Sequence, residues 1–174
     1  SRSLLIPCLN KTMNRTKSDS DSSLPKNFET NLAEVRDALI NMGTLPYLTD
    51  GTLLGWYREC SIIPHTSDAD FAVSRLEYRE NKSFKKIREP LIYSWNSAKV
   101  LEWDSLEVTL RPEKGGSIDI FISYDQVDDE HLYTHGVSGD GTRVKWIVPR
   151  PTGFCSGILR GRLFYVPCNV EETL

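Results

Sequence analysis

One residue constrains the fold of this chain more than any other. Asp119 sits in the middle of Ser117-Ile118-Asp119-Ile120-Phe121-Ile122, a run that otherwise reads as a buried strand. A carboxylate inside such a strand is costly unless it is paired or bound to a metal. The fold must therefore bring it either an ion-pair partner or further ligands of one cation. Candidates lie upstream, where Asp68 and Asp70 stand one residue apart and lead into Phe71-Ala72-Val73. On a strand, side chains at i and i+2 share a face, with Cα atoms about 6.5–7 Å apart. Two carboxylates so placed can converge on a hard cation such as Mg2+ or Mn2+, which prefers oxygen ligands together with substrate phosphates. The plain alternative is a pair of exposed aspartates near a turn.

The residues ahead of the pair favour the first reading. Thr49-Asp50-Gly51-Thr52 opens a short predicted helix, Leu53 to Arg58 continues it, and Ile62-Ile63-Pro64-His65 turns the chain toward Asp68. Glycine permits close backbone approach, and the free N–H groups at a helix start favour phosphate. A Gly-Thr pair is also a common helix start without any ligand. Arg58, near the end of that helix, has a planar fork that suits a phosphate; it equally suits capping the helix or neutralising an aspartate. His65 either touches a ligand or lines the turn. Trp56 and Tyr57 read as core or pocket wall. His131 and His135 have four-residue spacing but lie in a polar stretch without a third ligand.

The rest of the chain supplies a scaffold. Residues 1–9 are apolar around Pro7 and suit an extended strand laid against the domain. Residues 10–25, rich in Ser, Asp, Lys and Thr, lack hydrophobic periodicity and read as a mobile polar linker. Phe28, Leu32, Val35, Leu39 and Met42 recur at three- and four-residue steps, which predicts an amphipathic helix stopped by Gly43. Leu45–Leu48 is a short strand candidate, and residues 75–89 suggest a charged surface helix. Further strands are expected at Leu106–Leu110, Ile118–Ser123, Arg143–Val148 and Arg162–Val166, the first two joined through the hairpin-like Pro112-Glu113-Lys114-Gly115-Gly116. Residues 125–142 are acidic, polar and glycine-bearing and are expected to form a loop. Residues 169–174 look like the first turn of a helix. The fold class is α+β, or mixed α/β, with one mixed sheet flanked by helices.

At 174 residues the chain is one domain or most of one. A formal charge of −3, with no long basic stripe, argues against a nucleic-acid partner. No apolar run of about 18 residues marks a transmembrane segment. Because the chain begins at Ser1 rather than Met, any targeting segment is expected to have been removed or omitted. Cys8, Cys60, Cys155 and Cys168 form an even set without CxxC spacing. N-x-S/T sequons begin at Asn10, Asn14 and Asn81. Together these lean toward a secretory compartment, where disulfides persist. Cys155 could pair with Cys168, or either with Cys60.

The ordered set Gly51-Thr52-Leu53-Leu54-Gly55, Arg58, Ile63-Pro64, Asp68-x-Asp70 and Ile118-Asp119-Ile120-Phe121 resembles the LicD and fukutin family of transferases, which have a nucleotidyltransferase fold. Gly55 through Pro64, and Val166-Pro167-Cys168 after Cys155, are most similar to its fukutin branch. The resemblance covers residues 28–174 and implies a LicD/fukutin-type domain over 26–174. It implies a further C-terminal helix leading to a Tyr-Gly pair, so the domain is expected to be C-terminally short. It also implies metal-dependent transfer of a phosphorylated alcohol from a CDP-linked donor to a hydroxyl of a glycan or glycoprotein acceptor. The group is ribitol 5-phosphate in the fukutin branch and phosphocholine in the LicD branch. Asp68, Asp70 and Asp119 would hold Mg2+ or Mn2+ and carry the catalysis. Gly51 and Thr52 would meet the donor phosphates, with Asp50, Arg58 and His65 as further substrate-binding candidates. The implied location is the Golgi lumen, or secretion. Two rival readings are nucleotidyl transfer from a nucleoside triphosphate, and a secreted glycan-binding module that keeps the fold without catalysis.

Overall fold

The computed structural model describes residues 3–80, 95–100, 107–112, 115–125, 128–137 and 140–174. Among these, nine strands form one mixed sheet. In chain order the elements are α1 (Lys17–Ser20), α2 (Phe28–Asn41), β1 (Tyr47–Leu48), α3 (Asp50–Glu59), β2 (Asp68–Ser74), α4 (Arg75–Glu80), β3 (Trp95–Val100), β4 (Glu107–Pro112), β5 (Ser117–Asp125), β6 (His131–Val137), β7 (Arg143–Pro149), β8 (Phe154–Leu159), β9 (Arg162–Pro167) and α5 (Val170–Thr173). The sheet runs β3-β4-β5-β2-β1-β9-β8, and β6 and β7 extend it from β5. The β2/β5 and β1/β9 pairs are parallel; the other pairs are antiparallel. The expected mixed sheet with flanking helices is thus the observed architecture.

Helix α2 follows its hydrophobic period. Phe28, Leu32, Val35 and Leu39 are buried, and the chain leaves the helix through Met42 and Gly43, whose φ of 77° suits glycine. These side chains join Leu53 and Trp56 of α3 and one face of the sheet in a single core. That sheet face carries Ala69, Phe71 and Val73 of β2, Ile118, Ile120 and Ile122 of β5, and Phe164 and Val166 of β9. Trp56 is fully buried, and its indole Nε1 donates to the carbonyl of Ile158 at 3.1 Å. Position 157 has to be glycine for this packing, because a Cβ there would lie 2.3 Å from the indole. The contact fixes α3, and with it the first turn of the helix, against the sheet.

The N-terminal segment lies along the domain as expected, with Leu5 bridged in parallel to Ser156 of β8. Residues 10–25 do not hang free. The Leu9 and Lys11 N–H groups donate to the carbonyls of Tyr57 and Arg58 at 2.7 and 2.8 Å, and Ser23 N–H donates to Pro64. Arg15 pairs with Glu59, and Leu24 is buried in the core. Backbone hydrogen bonds, one ion pair and one buried leucine do this pinning, and none of them leaves a hydrophobic period. Disulfides join Cys8 to Cys60 and Cys155 to Cys168, with Cα atoms 5.4 and 5.0 Å apart. The first ties this segment to the end of α3, and the second ties β8 to the end of β9.

The mobile linker over 10–25 is thus corrected, and so is a second expectation. Residues 125–142 are not one loop, since β6 lies inside them, between β5 and β7. His131, Thr134 and His135 disguise a strand whose Leu132 and Gly136 are buried. Strand β8 was not anticipated, because Ser156 and Gly157 dilute its apolar residues. Of the expected helix over 75–89, the described part is α4; the remainder, the third sequon and part of the 112–116 hairpin lie outside the described residues. Among the described residues no helix is long and apolar enough to cross a membrane.

Candidate functional site

The parallel register of β2 and β5 sets Asp70 opposite Asp119 and Asp68 opposite Ser117. Side chains alternate along a strand, so the face opposite the apolar core carries all three aspartates. One carboxylate oxygen from each of Asp68, Asp70 and Asp119 lies within 4.8 Å of the others. The structure brings together from two strands the residues that the sequence relates only by pattern.

Asp70 is 9% exposed and held from two sides. The Thr52 hydroxyl donates to its Oδ2 at 3.2 Å and accepts from its backbone N–H at 2.8 Å. Its carbonyl accepts from the Thr49 N–H at 3.3 Å. The first turn of α3 is therefore fastened to β2 at the triad. A Cβ on Gly51 would stand 3.7 Å from the same Oδ2, so the missing side chain leaves the approach to that carboxylate clear. At the entry to β2, Thr66 donates to Asp68 Oδ1 at 2.7 Å.

Electrostatics makes the triad unfavourable by itself. Burial, then the charges of Asp68, Asp50 and Asp119, push the Asp70 carboxyl up to about 8, against a weaker downward pull from Thr52. Burial raises Asp119 to about 6; Glu107 and Asp68 add to this, while Thr109 and Arg111 oppose it. Asp50 is raised as well, mainly by desolvation. Asp119 Oδ1 is buried and has no hydrogen-bond partner. An orphaned oxygen among crowded carboxylates fits a divalent cation, which would supply the missing partner and cancel the repulsion.

The remaining candidates are more scattered. Arg58 stands at the far end of α3, about 9 Å along the axis from Thr52 at 1.5 Å per residue. Its guanidinium is engaged by Glu59 at 2.5 and 2.8 Å. Burial alone would raise Glu59, but hydrogen bonds and charge from Arg15 and Arg58 hold it below the ordinary carboxylate range. Arg58 and Glu59 thus form an ion pair at the helix end. His65 is exposed on the turn before β2, where its carbonyl accepts from Ser23. His131 bonds Asp128 at 2.9 Å, and His135 packs edge-on against Tyr124 and Tyr133.

Sequence reasoning missed β4's share of this face. Thr109 pairs with Asp119, and Glu107 and Arg111 flank it on the same side. The signal was present, since Glu107-x-Thr109-x-Arg111 alternates with Val108 and Leu110 ahead of a turn into β5. Such a hairpin sets the register and so the neighbours of Asp119.

The family model for "LicD/FKTN/FKRP, nucleotidyltransferase domain" matches residues 46–169, a span that contains the whole site. The chain belongs to this family. Among its relatives is the uncharacterized protein W02B3.4 of Caenorhabditis elegans, 34% identical over 99% of this chain and 46% of that protein. Another is the ribitol-5-phosphate transferase FKTN of Mus musculus, 30% identical over 77% of this chain and 28% of that protein. The chain thus spans less than half the length of each. The solved structure of the lincosamide antibiotic adenylyltransferase LnuA aligns at a TM-score of 0.45 with 17% identity, over 83% of this chain and 82% of that one, a likeness too loose to bear on function.

Proposed function

We propose that this domain is a metal-dependent transferase that moves a phosphorylated alcohol, ribitol 5-phosphate before phosphocholine, from a CDP-linked donor to a glycan hydroxyl in the secretory pathway. The observation that carries the reading is the convergence of Asp68, Asp70 and Asp119, one carboxylate oxygen of each within 4.8 Å of the others, with Asp119 Oδ1 buried and unpartnered. Membership of a family that includes FKTN favours ribitol 5-phosphate, and two disulfides suit the Golgi lumen.

In this reading Asp68, Asp70 and Asp119 hold Mg2+ or Mn2+. When bound, the ion would neutralise charge on the donor diphosphate and on the leaving nucleotide. The N–H groups at the start of α3, at Gly51 and Thr52, have no acceptor within the helix and lie beside Asp70, where they can meet a diphosphate oxygen. Thr52 also acts as a positioning residue, because its hydroxyl holds Asp70. Asp50 heads the same turn and adds negative charge, which strengthens cation binding. Arg58, engaged by Glu59, and His65, exposed on the turn before β2, are the outer substrate-binding candidates, and the transfer step assigns neither a role.

The acceptor hydroxyl oxygen forms a bond to the distal phosphorus of the donor, and the bond from that phosphorus to the bridging oxygen breaks. CMP leaves with the electron pair, and the hydroxyl proton passes to a triad carboxylate oxygen or to water. Phosphoryl transfer rests mainly on positioning and charge neutralisation, so no stronger base is required. The test is incubation with CDP-ribitol, a glycan acceptor and Mn2+. Metal-dependent CMP release with mass gain on the acceptor supports the reading; pyrophosphate release from a nucleoside triphosphate, with CDP-ribitol untouched, overturns it.

A further inference from the structure

The sheet face that carries the triad continues past it into a feature the reaction above does not use. Phe121 follows Asp119 by two residues on β5, on the same face. Cross-strand pairing extends that face, since Ser123 faces Thr134 of β6 and Thr134 faces Trp146 of β7. Trp146 leans back toward Phe121, their ring centroids 6.2 Å apart and their planes at 82°. Its six-membered ring is seated on Gly136, where a Cβ would come within 2.8 Å of it. The indole nevertheless leaves 43% of the residue exposed. Beside it stands Glu107, cross-strand partner of Phe121. Glu107 Oε1 accepts from Thr109 at 3.2 Å, while Oε2 lies over Gly136, 3.0 Å from the same absent Cβ.

We propose that Trp146 is the stacking platform for the pyrimidine base of the donor nucleotide, and that Glu107 reads that base's exocyclic amino group. This deepens the function proposed above and rests on it. The arrangement has the length required. Two strand residues, about 6.5–7 Å, separate Asp119 from Phe121, and a further 6.2 Å reaches the Trp146 ring. The triad and the indole thus lie at most about 13 Å apart, a span that a cation, a diphosphate and a ribose cover together. An exposed indole face, pinned by a glycine backbone, suits a flat aromatic ring. A carboxylate beside it accepts from the N4 amino group of cytosine, and it repels the O4 carbonyl that uracil carries in the same place. The platform thus supplies a physical basis for preferring a cytidine donor to a uridine one.

The test is calorimetric titration of the disulfide-intact chain, saturated with Mn2+, with CDP, UDP and inorganic pyrophosphate as probes. Wild type is expected to bind CDP more tightly than pyrophosphate or UDP. Trp146→Ala is expected to weaken CDP by about 5- to 150-fold, the scale of one stacked base, with pyrophosphate unchanged. Trp146→Phe, the conservative variant, keeps most of the affinity. Glu107→Gln also alters the surroundings of Asp119, so it is read through the CDP-to-UDP ratio, in which the metal contribution cancels; that ratio falls about tenfold. The platform is overturned if Trp146→Ala binds CDP like wild type, or loses CDP and pyrophosphate in equal measure. Wild type that binds pyrophosphate but gains nothing from the base overturns it too. Wild type that binds neither CDP nor pyrophosphate contradicts the transferase reading itself, and the platform with it.

Discussion

The two faces of β2 and β5 are built from alternate residues of the same two strands, and they have opposite energetics. Ala69, Phe71, Val73, Ile118, Ile120 and Ile122 on one face are at most 1% exposed and pack with α2 and α3. Each large side chain so buried stabilises the fold by about 1.5–3 kcal/mol. On the other face Asp68, Asp70 and Asp119 crowd three carboxylates together, two of them raised well above their ordinary range. The contrast shows where stability and chemistry reside. The apolar face and the fastened α3 hold the carboxylates at a separation they would not keep unaided. Damage to the two faces should accordingly be distinguishable.

The largest effect is expected on the acidic face. Asp119→Asn should reduce metal-dependent transfer by about 10³-fold, the scale of losing a group that stabilises transition-state charge, with little change in Tm. Steady-state CMP release and a thermal melt check the two halves of that statement. Ile120→Ala, one residue away but pointing into the core, should do the reverse. It should cost about 2–5 kcal/mol of stability, read by denaturant unfolding, while the folded fraction keeps its Mn2+ affinity.

A third effect follows from protonation. Asp70 is held at about 8, against an ordinary value of 3.8. Between those values the folded, metal-free protein keeps a proton that the unfolded chain has released. Its stability is therefore fully present below about pH 4 and is lost as the pH rises toward 8. Asp119, at about 6, adds to the same slope. Asp70→Asn should flatten most of that slope in metal-free melts, and Mn2+ should flatten it for wild type but not for the variant. A slope undiminished in Asp70→Asn would show that it does not originate at Asp70. The smallest effect belongs to Thr52→Val, which removes the hydroxyl that positions Asp70. Mn2+ affinity should fall about 10-fold, the lower end for a residue that supports a ligand, and Thr52→Ser should restore most of it.

Much of this contrast is legible in the sequence because it is periodic. The three- and four-residue steps of α2, the Asp68-x-Asp70 spacing and the lone carboxylate of the Ser117–Ile122 run each mark a face. What escapes is non-periodic and long-range. Thr52 meets Asp70 across 18 residues, and Cys8 meets Cys60 across 52; no local pattern records either. The segment 10–25 is polar along its length, yet backbone hydrogen bonds and Leu24 fasten it. Strands β6 and β8 carry histidine, serine and glycine where a strand pattern calls for apolar residues. Gly157 and Gly136 make room for Trp56 and Trp146, and a packing partner cannot be read from a glycine.

Asp68, Asp70 and Asp119 are expected to form one cation site. Titration of Mn2+ into the metal-free chain, followed by electron paramagnetic resonance of the free ion, tests it most directly. Wild type should bind one Mn2+ per chain, and Asp70→Asn and Asp119→Asn should lose that site while both remain folded. Wild type that leaves all the Mn2+ free, or variants that bind it as wild type does, would rule out a cation site at the three aspartates.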